Sequence, residues 1–152
     1  PQDISLNPLT YTNSQKLSAQ KYGAEFLEDR AIESIGDDYL VDEYGNEIHF
    51  DMCVVANNWA ITSLFQGLSQ CIWPVRGQMI STAPIFIEGI ARNFCHQTNF
   101  GYNYWKWHKD HLVIGGERTS DEANEETSIC EINTLVQRSI VGFIQDTWGV
   151  NA

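Results

Sequence analysis

The sequence predicts an α+β fold, and three patterns indicate it. Residues 52–56 form a continuous apolar run of the kind that is buried on both faces of a sheet. From Val75 onward the pattern becomes that of short β-strands. Residues 128–148 carry apolar side chains at three- and four-residue steps, which is typical of an amphipathic helix. We therefore expect this helix to pack on a mixed or antiparallel sheet in the second half.

The remaining elements of the first half follow from local turn and capping signals. A glycine just after an apolar helix is a common stop, and paired turn residues between β-forming runs indicate a hairpin. The expected elements are a helix over residues 9–22 closed by Gly23, a short strand in residues 26–32, a turn at 36–38, a hairpin joining 39–41 to 48–50, and a helix over 61–68.

The second half is expected to contain several strands before its helix. These are residues 79–80, 85–87, 94–95, 102–107 and 112–114, followed by an acidic loop over 121–127. Alternation in the fourth strand places Tyr102, Tyr104 and Lys106 on one face and Asn103, Trp105 and Trp107 on the other. The buried face of the helix is expected to consist of Ile132, Leu135, Val136, Ile140 and Phe143, with a close contact at Gly142.

Composition excludes some classes of function. The chain has 152 residues and a net charge of -11, so it is poorly suited to nucleic acid or to an anionic membrane surface. No apolar run reaches the 18 or so residues that a membrane span needs. The length fits one domain or one and a half.

The four cysteines, at 53, 71, 95 and 130, form no CxxC pair. Their even number permits disulfides, but the sequence shows no signal peptide. We expect them to be buried thiols and the protein to be cytoplasmic. His108 and His111 flank Lys109 and Asp110, a pattern that favours a solvated hairpin turn over a metal site.

Three motifs carry a family resemblance. Residues 74–78 (PVRGQ), 100–105 (FGYNYW) and 112–118 (LVIGGER), in this order and spacing, resemble the middle of the FAD-dependent amine and amino-acid oxidases. This superfamily includes the D-amino-acid, glycine and sarcosine oxidases. The resemblance extends over about residues 5–148. It implies that residues 1–73 are the returning portion of an FAD-binding α/β domain and that residues 74–152 belong to a substrate-binding domain.

The resemblance also implies cofactor contacts. Ile32, Ala56, Asn57 and Trp59 correspond to the adenosine side of the FAD site. Asn58 stands where the family usually has glycine or another small residue, although Asn can adopt positive φ. The GxGxxG turn that holds the FAD pyrophosphate is absent from the sequence, so the resemblance implies a central fragment that binds FAD weakly or not at all by itself.

The motif at residues 74–78 resembles the crossing between the two domains. Gly77 permits close backbone packing there, and the resemblance implies that it contacts the cofactor. Arg76 is either a cofactor contact or one partner of a surface ion pair, and the sequence leaves both open.

The later motifs imply the substrate site. In the family, a strand that faces the flavin ring carries a Tyr near the substrate carboxylate. Tyr104 is the nearest match to this Tyr, and Tyr102 is the second. Each is otherwise a sheet-packing residue. Arg118 is either structural or a bidentate carboxylate ligand, because the usual carboxylate-binding Arg of the family comes later in the chain.

The leading hypothesis is therefore part of an FAD-dependent oxidoreductase that oxidises the C–N bond of an amine or amino acid. The family transfers a hydride to flavin N5. The expected partners are a small amine or amino-acid substrate and the remaining parts of the parent chain or a second copy. The alternative is a non-catalytic α+β binding or assembly domain. No catalytic residue and no metal ligand is identified.

Overall fold

The computed structural model describes residues 5–150 and divides into two units, one ending at Trp73 and the other beginning at Pro74. Both helices and antiparallel sheets are present, which confirms the α+β class. The assignment of these units to an FAD-binding domain and a substrate-binding domain stays a prediction. The helices are α1 (Pro8–Lys21), α2 (Ile61–Leu64), α3 (Glu122–Glu125) and α4 (Thr134–Trp148). The strands are β1 (Ile32–Ile35), β2 (Tyr39–Asp42), β3 (Glu47–His49), β4 (Met79–Ser81), β5 (Cys95–Thr98), β6 (Asn103–His108) and β7 (His111–Gly115).

Capping residues set the limits of α1, the first helix of the first unit. The Asn7 side chain accepts a hydrogen bond from the Thr10 N–H, at 3.1 Å, and Pro8 occupies the first turn. Gly23, with φ of +90°, ends the helix as expected. None of the residues of α1 is buried.

The strands β1, β2 and β3 form an antiparallel sheet in chain order. The β2–β3 hairpin confirms the expected one, whereas only the end of the strand expected within residues 26–32 is realised, because β1 begins at Ile32. Asp42 is fully buried at the hairpin turn. Its carboxylate accepts hydrogen bonds from the backbone N–H groups of Tyr44 and Asn46, and these bonds fix the turn.

The prediction of a buried strand over residues 52–56 is wrong. The segment belongs to no strand and pairs with no strand of the described chain, and Met52 and Val54 are 84% and 83% exposed. An apolar run is buried only where sheet neighbours cover it, and β1–β3 do not. A charged residue in place of Val54 would stay in water, so we expect it not to lower the free energy of unfolding by the large amount that burying a charge costs. The helix expected over 61–68 breaks at Phe65, where α2 gives way to a 3₁₀ helix over Gln66–Gln70.

The second unit contains an antiparallel sheet in the order β4-β7-β6-β5. β6 and β7 are joined by the expected turn at Lys109 and Asp110, with His108 opposite His111. The strands expected near 79–80, 94–95, 102–107 and 112–114 are confirmed, with ends shifted by a few residues. Residues 85–87 form no strand, but Ile87 is buried against Trp107 and Leu112.

Helix α4 packs on this sheet and supplies most of the core. Val136, Ile140 and Ile144 are buried together with Ile114. Trp105 of β6 contacts both Phe143 and Trp148, with ring centroids 6.1 and 5.1 Å away, and those two rings also contact each other. Packing of the helix on the sheet is thus confirmed.

The helix begins later than its apolar spacing suggests. Asn133 accepts hydrogen bonds from the N–H groups of Leu135 and Val136, so the chain is capped there and residues 128–133 are not helical. Ile132 and Leu135, expected in the core, are 77% and 52% exposed. The expected close contact at Gly142 is also wrong, because a Cβ there would meet no atom within 4 Å.

The cysteines form no disulfide, but the expectation that they are buried is wrong. Cys53 is half-buried, and Cys71, Cys95 and Cys130 are exposed. Among residues 5–150, no helix combines the length and apolar character that crossing a bilayer requires.

Candidate functional site

A groove of about 370 Å³ lies within the second unit. The structure brings five residues that were singled out from the sequence together along it: Arg76, Gly77, Tyr102, Tyr104 and Arg118. They come from the segment before β4, from β6 and the residue before it, and from the 3₁₀ helix Arg118–Asp121 after β7. A groove of this size suits a small ligand.

Glycines make room for Tyr104 beside the groove. A Cβ at Gly115, the neighbour of Tyr104 across β6 and β7, would lie 2.7 Å from the Tyr104 ring. A Cβ at Gly77 would lie 3.7 Å from the Tyr104 hydroxyl oxygen. The ring therefore lies across Gly115, with its hydroxyl near Gly77.

The second glycine of the pair allows the end of β7 to approach β6 closely. Gly116 has φ of +138°, and a Cβ there would collide with the Tyr102 carbonyl oxygen. Asn103 is buried, and its Nδ2 donates to Glu117 Oε1 at 2.7 Å while its Oδ1 accepts from the Glu117 N–H at 3.3 Å. These hydrogen bonds fix the backbone immediately before Arg118.

Arg118 has unused hydrogen-bonding capacity at the groove. Its Nε is buried and has no hydrogen-bond partner in the described part of the chain. Its nearest carboxylate is that of Glu122, at 3.8 Å from a terminal guanidinium nitrogen, and Glu122 is exposed. The Arg118 side chain is 36% exposed, so its terminal guanidinium nitrogens can bind an anionic ligand in the groove.

Arg76 is instead fully engaged within the protein. Its Nε and one terminal nitrogen donate to the two carboxylate oxygens of Glu125, at 3.0 and 2.8 Å. The terminal nitrogens also donate to the carbonyl oxygens of Ile129 and Asn124. Arg76 thus forms an ion pair, but the partner is buried and the pair is not at the surface.

Glu125 is the site residue that the sequence did not reveal. It lies in the acidic stretch expected to be a solvated loop, yet its side chain is fully buried at the end of α3. Besides Arg76, Asn133 Nδ2 donates to it at 2.8 Å and Gln78 Nε2 at 3.4 Å. Nothing in the sequence separates Glu125 from its acidic neighbours, because the distinction arises from tertiary contacts alone.

These contacts give a pH dependence that can be measured. The hydrogen bond from Arg76 is the largest cause that lowers the pKa of Glu125 from its ordinary value of 4.5, and burial opposes it. A lowered pKa stabilises the fold above that value, and the stability is lost as pH falls through the folded-state pKa. We expect the free energy of unfolding to fall more steeply below about pH 4.5 in the wild type than in Glu125→Gln. Urea titrations at several pH values measure this, with exposed Glu126→Gln as the control; equal slopes in all three proteins would contradict it.

Phe100 is an exposed residue at the edge of the groove. Its side chain is fully exposed, and its φ of +57° lies in the left-handed region, as does that of Asn99 before it. Such a conformation is strained for a bulky residue. An exposed apolar ring held in this way beside a groove provides a surface for an apolar part of a ligand.

The predicted adenosine-side residues lie in the first unit. Ile32 is half-buried in β1, Ala56 and Asn57 are exposed, and Trp59, in a 3₁₀ helix, is 41% exposed. Asn58 has φ of +55°, which confirms that Asn adopts the conformation expected at this departure from glycine. Their roles in binding stay predictions.

Comparisons with known proteins give one match. The family model described as FAD dependent oxidoreductase matches residues 1–148, nearly the whole chain. No curated protein and no solved structure matches it.

Proposed function

The chain belongs to the family of FAD dependent oxidoreductases, and from this premise we propose that its second unit forms the wall of a substrate pocket. The proposed reaction is oxidation of the C–N bond of an amino acid or a related amine that carries a carboxylate. The groove beside β6 and β7 is the proposed substrate site. Tyr102, Tyr104 and Arg118 are the proposed binding residues.

The observation that carries this proposal is the unsatisfied guanidinium of Arg118. A guanidinium presents parallel N–H donors that match the two oxygens of a carboxylate. A carboxylate in the groove would provide an acceptor for the terminal nitrogens of this side chain, which is 36% exposed and has the Glu122 carboxylate near it only at 3.8 Å. Because Asn103 and Glu117 fix the preceding backbone, Arg118 would meet the ligand in a defined position.

The tyrosines would orient the ligand and cover it. The Tyr104 hydroxyl lies beside Gly77 at the groove and can donate one hydrogen bond to a carboxylate or accept one from an ammonium group. The Tyr102 and Phe100 rings offer apolar surface to the rest of the ligand and reduce its access to water. These residues bind and orient, and no proton transfer is assigned to them.

The described residues do not fit the pyrophosphate of FAD. That group is held by backbone N–H groups at a helix N-terminus behind a glycine-rich turn. Two longer helices, α1 and α4, lie among residues 5–150. Asn7 accepts from one N–H group at the start of α1 and Asn133 from two at the start of α4, and no glycine directly precedes either Asn. The predicted contacts of Arg76 and Gly77 with FAD remain proposals.

We expect the 152-residue chain by itself to bind FAD only weakly. Its net charge of -11 repels the pyrophosphate, and contacts near Ile32 and Ala56 would reach only the adenosine end. The measurement is a visible spectrum after incubation with FAD and dialysis. A yellow protein that retains nearly one flavin per chain would show that this expectation is wrong.

The substrate class can be tested with a pair of ligands that differ only in the carboxylate. Phenylalanine and phenethylamine share the ring and the amine. We expect phenylalanine to bind about tenfold tighter, or more, because only its carboxylate can engage Arg118. Titrations followed by NMR or calorimetry measure both affinities. Equal affinities would exclude the groove as a carboxylate site.

A further inference from the structure

Two arginines line the same groove in different electrostatic states. Arg118 has only an exposed carboxylate near it, at 3.8 Å, whereas Arg76 is clasped by both oxygens of the buried Glu125. The charge of Arg76 is therefore cancelled within the protein. The groove retains one positive charge that a ligand can neutralise.

We propose that Glu125 is a specificity-determining positioning residue, which restricts the groove to ligands with a single anionic group by holding Arg76 in an ion pair. This proposal rests on the proposed substrate site. Without Glu125, the groove would present two cationic side chains and would accept a ligand with two anionic groups. Glu125 itself does not line the groove and acts through Arg76.

The geometry around Glu125 prevents the pair from opening easily. Asn133, the capping residue of α4, donates to Glu125 and to Asp121 through the same amide nitrogen, at 2.8 Å in each case. The backbone N–H of Arg76 donates to the Glu125 carbonyl oxygen at 2.7 Å, so backbone and side chain are both anchored. Breaking a buried pair leaves an uncompensated charge. A ligand must therefore bind without recruiting Arg76.

Glu122 differs from Glu125 in a way that supports this assignment. Its carboxylate is 60% exposed and lies 3.8 Å from the Arg118 guanidinium, a distance beyond that of a good charge-assisted hydrogen bond. Exposed pairs of this kind contribute little and are readily replaced. A ligand carboxylate can thus displace Glu122 from Arg118, but it cannot displace Glu125 from Arg76.

Two ligands of matched shape test the proposal on the full chain. The first is 3-phenylpropionate, which has one carboxylate, and the second is 3-(4-carboxyphenyl)propionate, which adds another on the ring. Both affinities are measured by calorimetry for the wild type, Glu125→Gln, Arg76→Gln/Glu125→Gln and the exposed control Glu126→Gln. Circular dichroism establishes that each variant is folded.

We expect the wild type to bind the monocarboxylate at least as tightly as the dicarboxylate. In Glu125→Gln the ratio of the two affinities should move about tenfold toward the dicarboxylate, because the second carboxylate gains a charged partner. The double variant, which lacks Arg76 as well, should return to the wild-type ratio, and Glu126→Gln should not change it. A purely structural role would weaken both ligands equally in Glu125→Gln.

Several results would overturn the proposal. Tighter binding of the dicarboxylate by the wild type would show that Arg76 is already available, and this result does not depend on any variant being folded. An unchanged ratio in folded Glu125→Gln would reject the role of Glu125 but leave the substrate site standing. Failure of the wild type to bind either ligand would reject the substrate site and the proposal together.

Discussion

Replacing Ile140 by alanine is expected to destabilise the second unit by roughly 2–5 kcal/mol. Ile140 is 1% exposed and lies between Val136 and Ile144 in the cluster that joins α4 to Ile114. Its loss removes buried apolar surface and leaves a cavity that the surrounding sheet and helix cannot fill completely. Chemical denaturation of the wild type and the variant measures the difference in free energy of unfolding.

Leu135 provides the matched control on the same helix. It is 52% exposed, so Leu135→Ala should cost less than about 1 kcal/mol, since little apolar surface returns to water. The apolar spacing alone assigns Leu135 to the core, whereas the structure exposes it. The two variants therefore distinguish the buried face seen in the structure from the one that the spacing predicts. Equal losses for Ile140→Ala and Leu135→Ala would show that the face of α4 is assigned incorrectly.

Arg118→Gln is expected to weaken binding of 3-phenylpropionate by roughly 10- to 100-fold. The substitution keeps a polar side chain but removes the charge and the paired donors that match a carboxylate. The folded structure should change little, because no internal hydrogen bond of the Arg118 Nε is lost. Titration calorimetry measures the affinity and thermal denaturation the stability.

Arg138→Gln is the charge-matched control for this experiment. Arg138 is exposed on α4 and does not line the groove, so its replacement changes the net charge equally without touching the ligand. We expect the affinity to stay within about twofold of the wild type, since long-range interactions of exposed charges are screened. Equal losses in the two variants would mean that net charge, and not Arg118, governs binding.

The elements predicted correctly from the sequence are those that local chemistry determines. The turn at Lys109 and Asp110 joins β6 to β7 as expected. Alternation places Trp107 and Tyr104 on opposite faces of β6, and in the structure Trp107 is buried while Tyr104 is exposed. Helix α1 ends where Gly23 predicts. In each case the deciding interaction lies within a few residues of the signal.

The elements predicted wrongly depend on distant partners. Residues 52–56 have the composition of a fully buried strand, but no strand of the described chain pairs with them, and Val54 is exposed. Periodicity gave α4 correctly as an amphipathic helix. It did not reveal that Asn133 caps the helix, which leaves Ile132 before it and exposed.

The candidate site likewise has features that local sequence predicts and features that depend on distant contacts. The sequence motifs singled out Arg76, Tyr104 and Arg118, which line one groove, but could not say which arginine is available to a ligand. That difference comes from Glu125, 49 residues after Arg76 along the chain. Glu125 is buried where Arg76, Gln78 and Asn133 donate hydrogen bonds to it, and no local pattern encodes these contacts.

The most direct measurement is a crystal structure of the chain with 3-phenylpropionate bound. We expect the ligand carboxylate in the groove with its oxygens about 2.7–2.9 Å from the guanidinium nitrogens of Arg118. Arg76 should remain paired with Glu125, and the ring of the ligand should lie against Phe100 or Tyr102. A carboxylate bound to Arg76, or a ligand located outside the groove, would contradict the proposed substrate site.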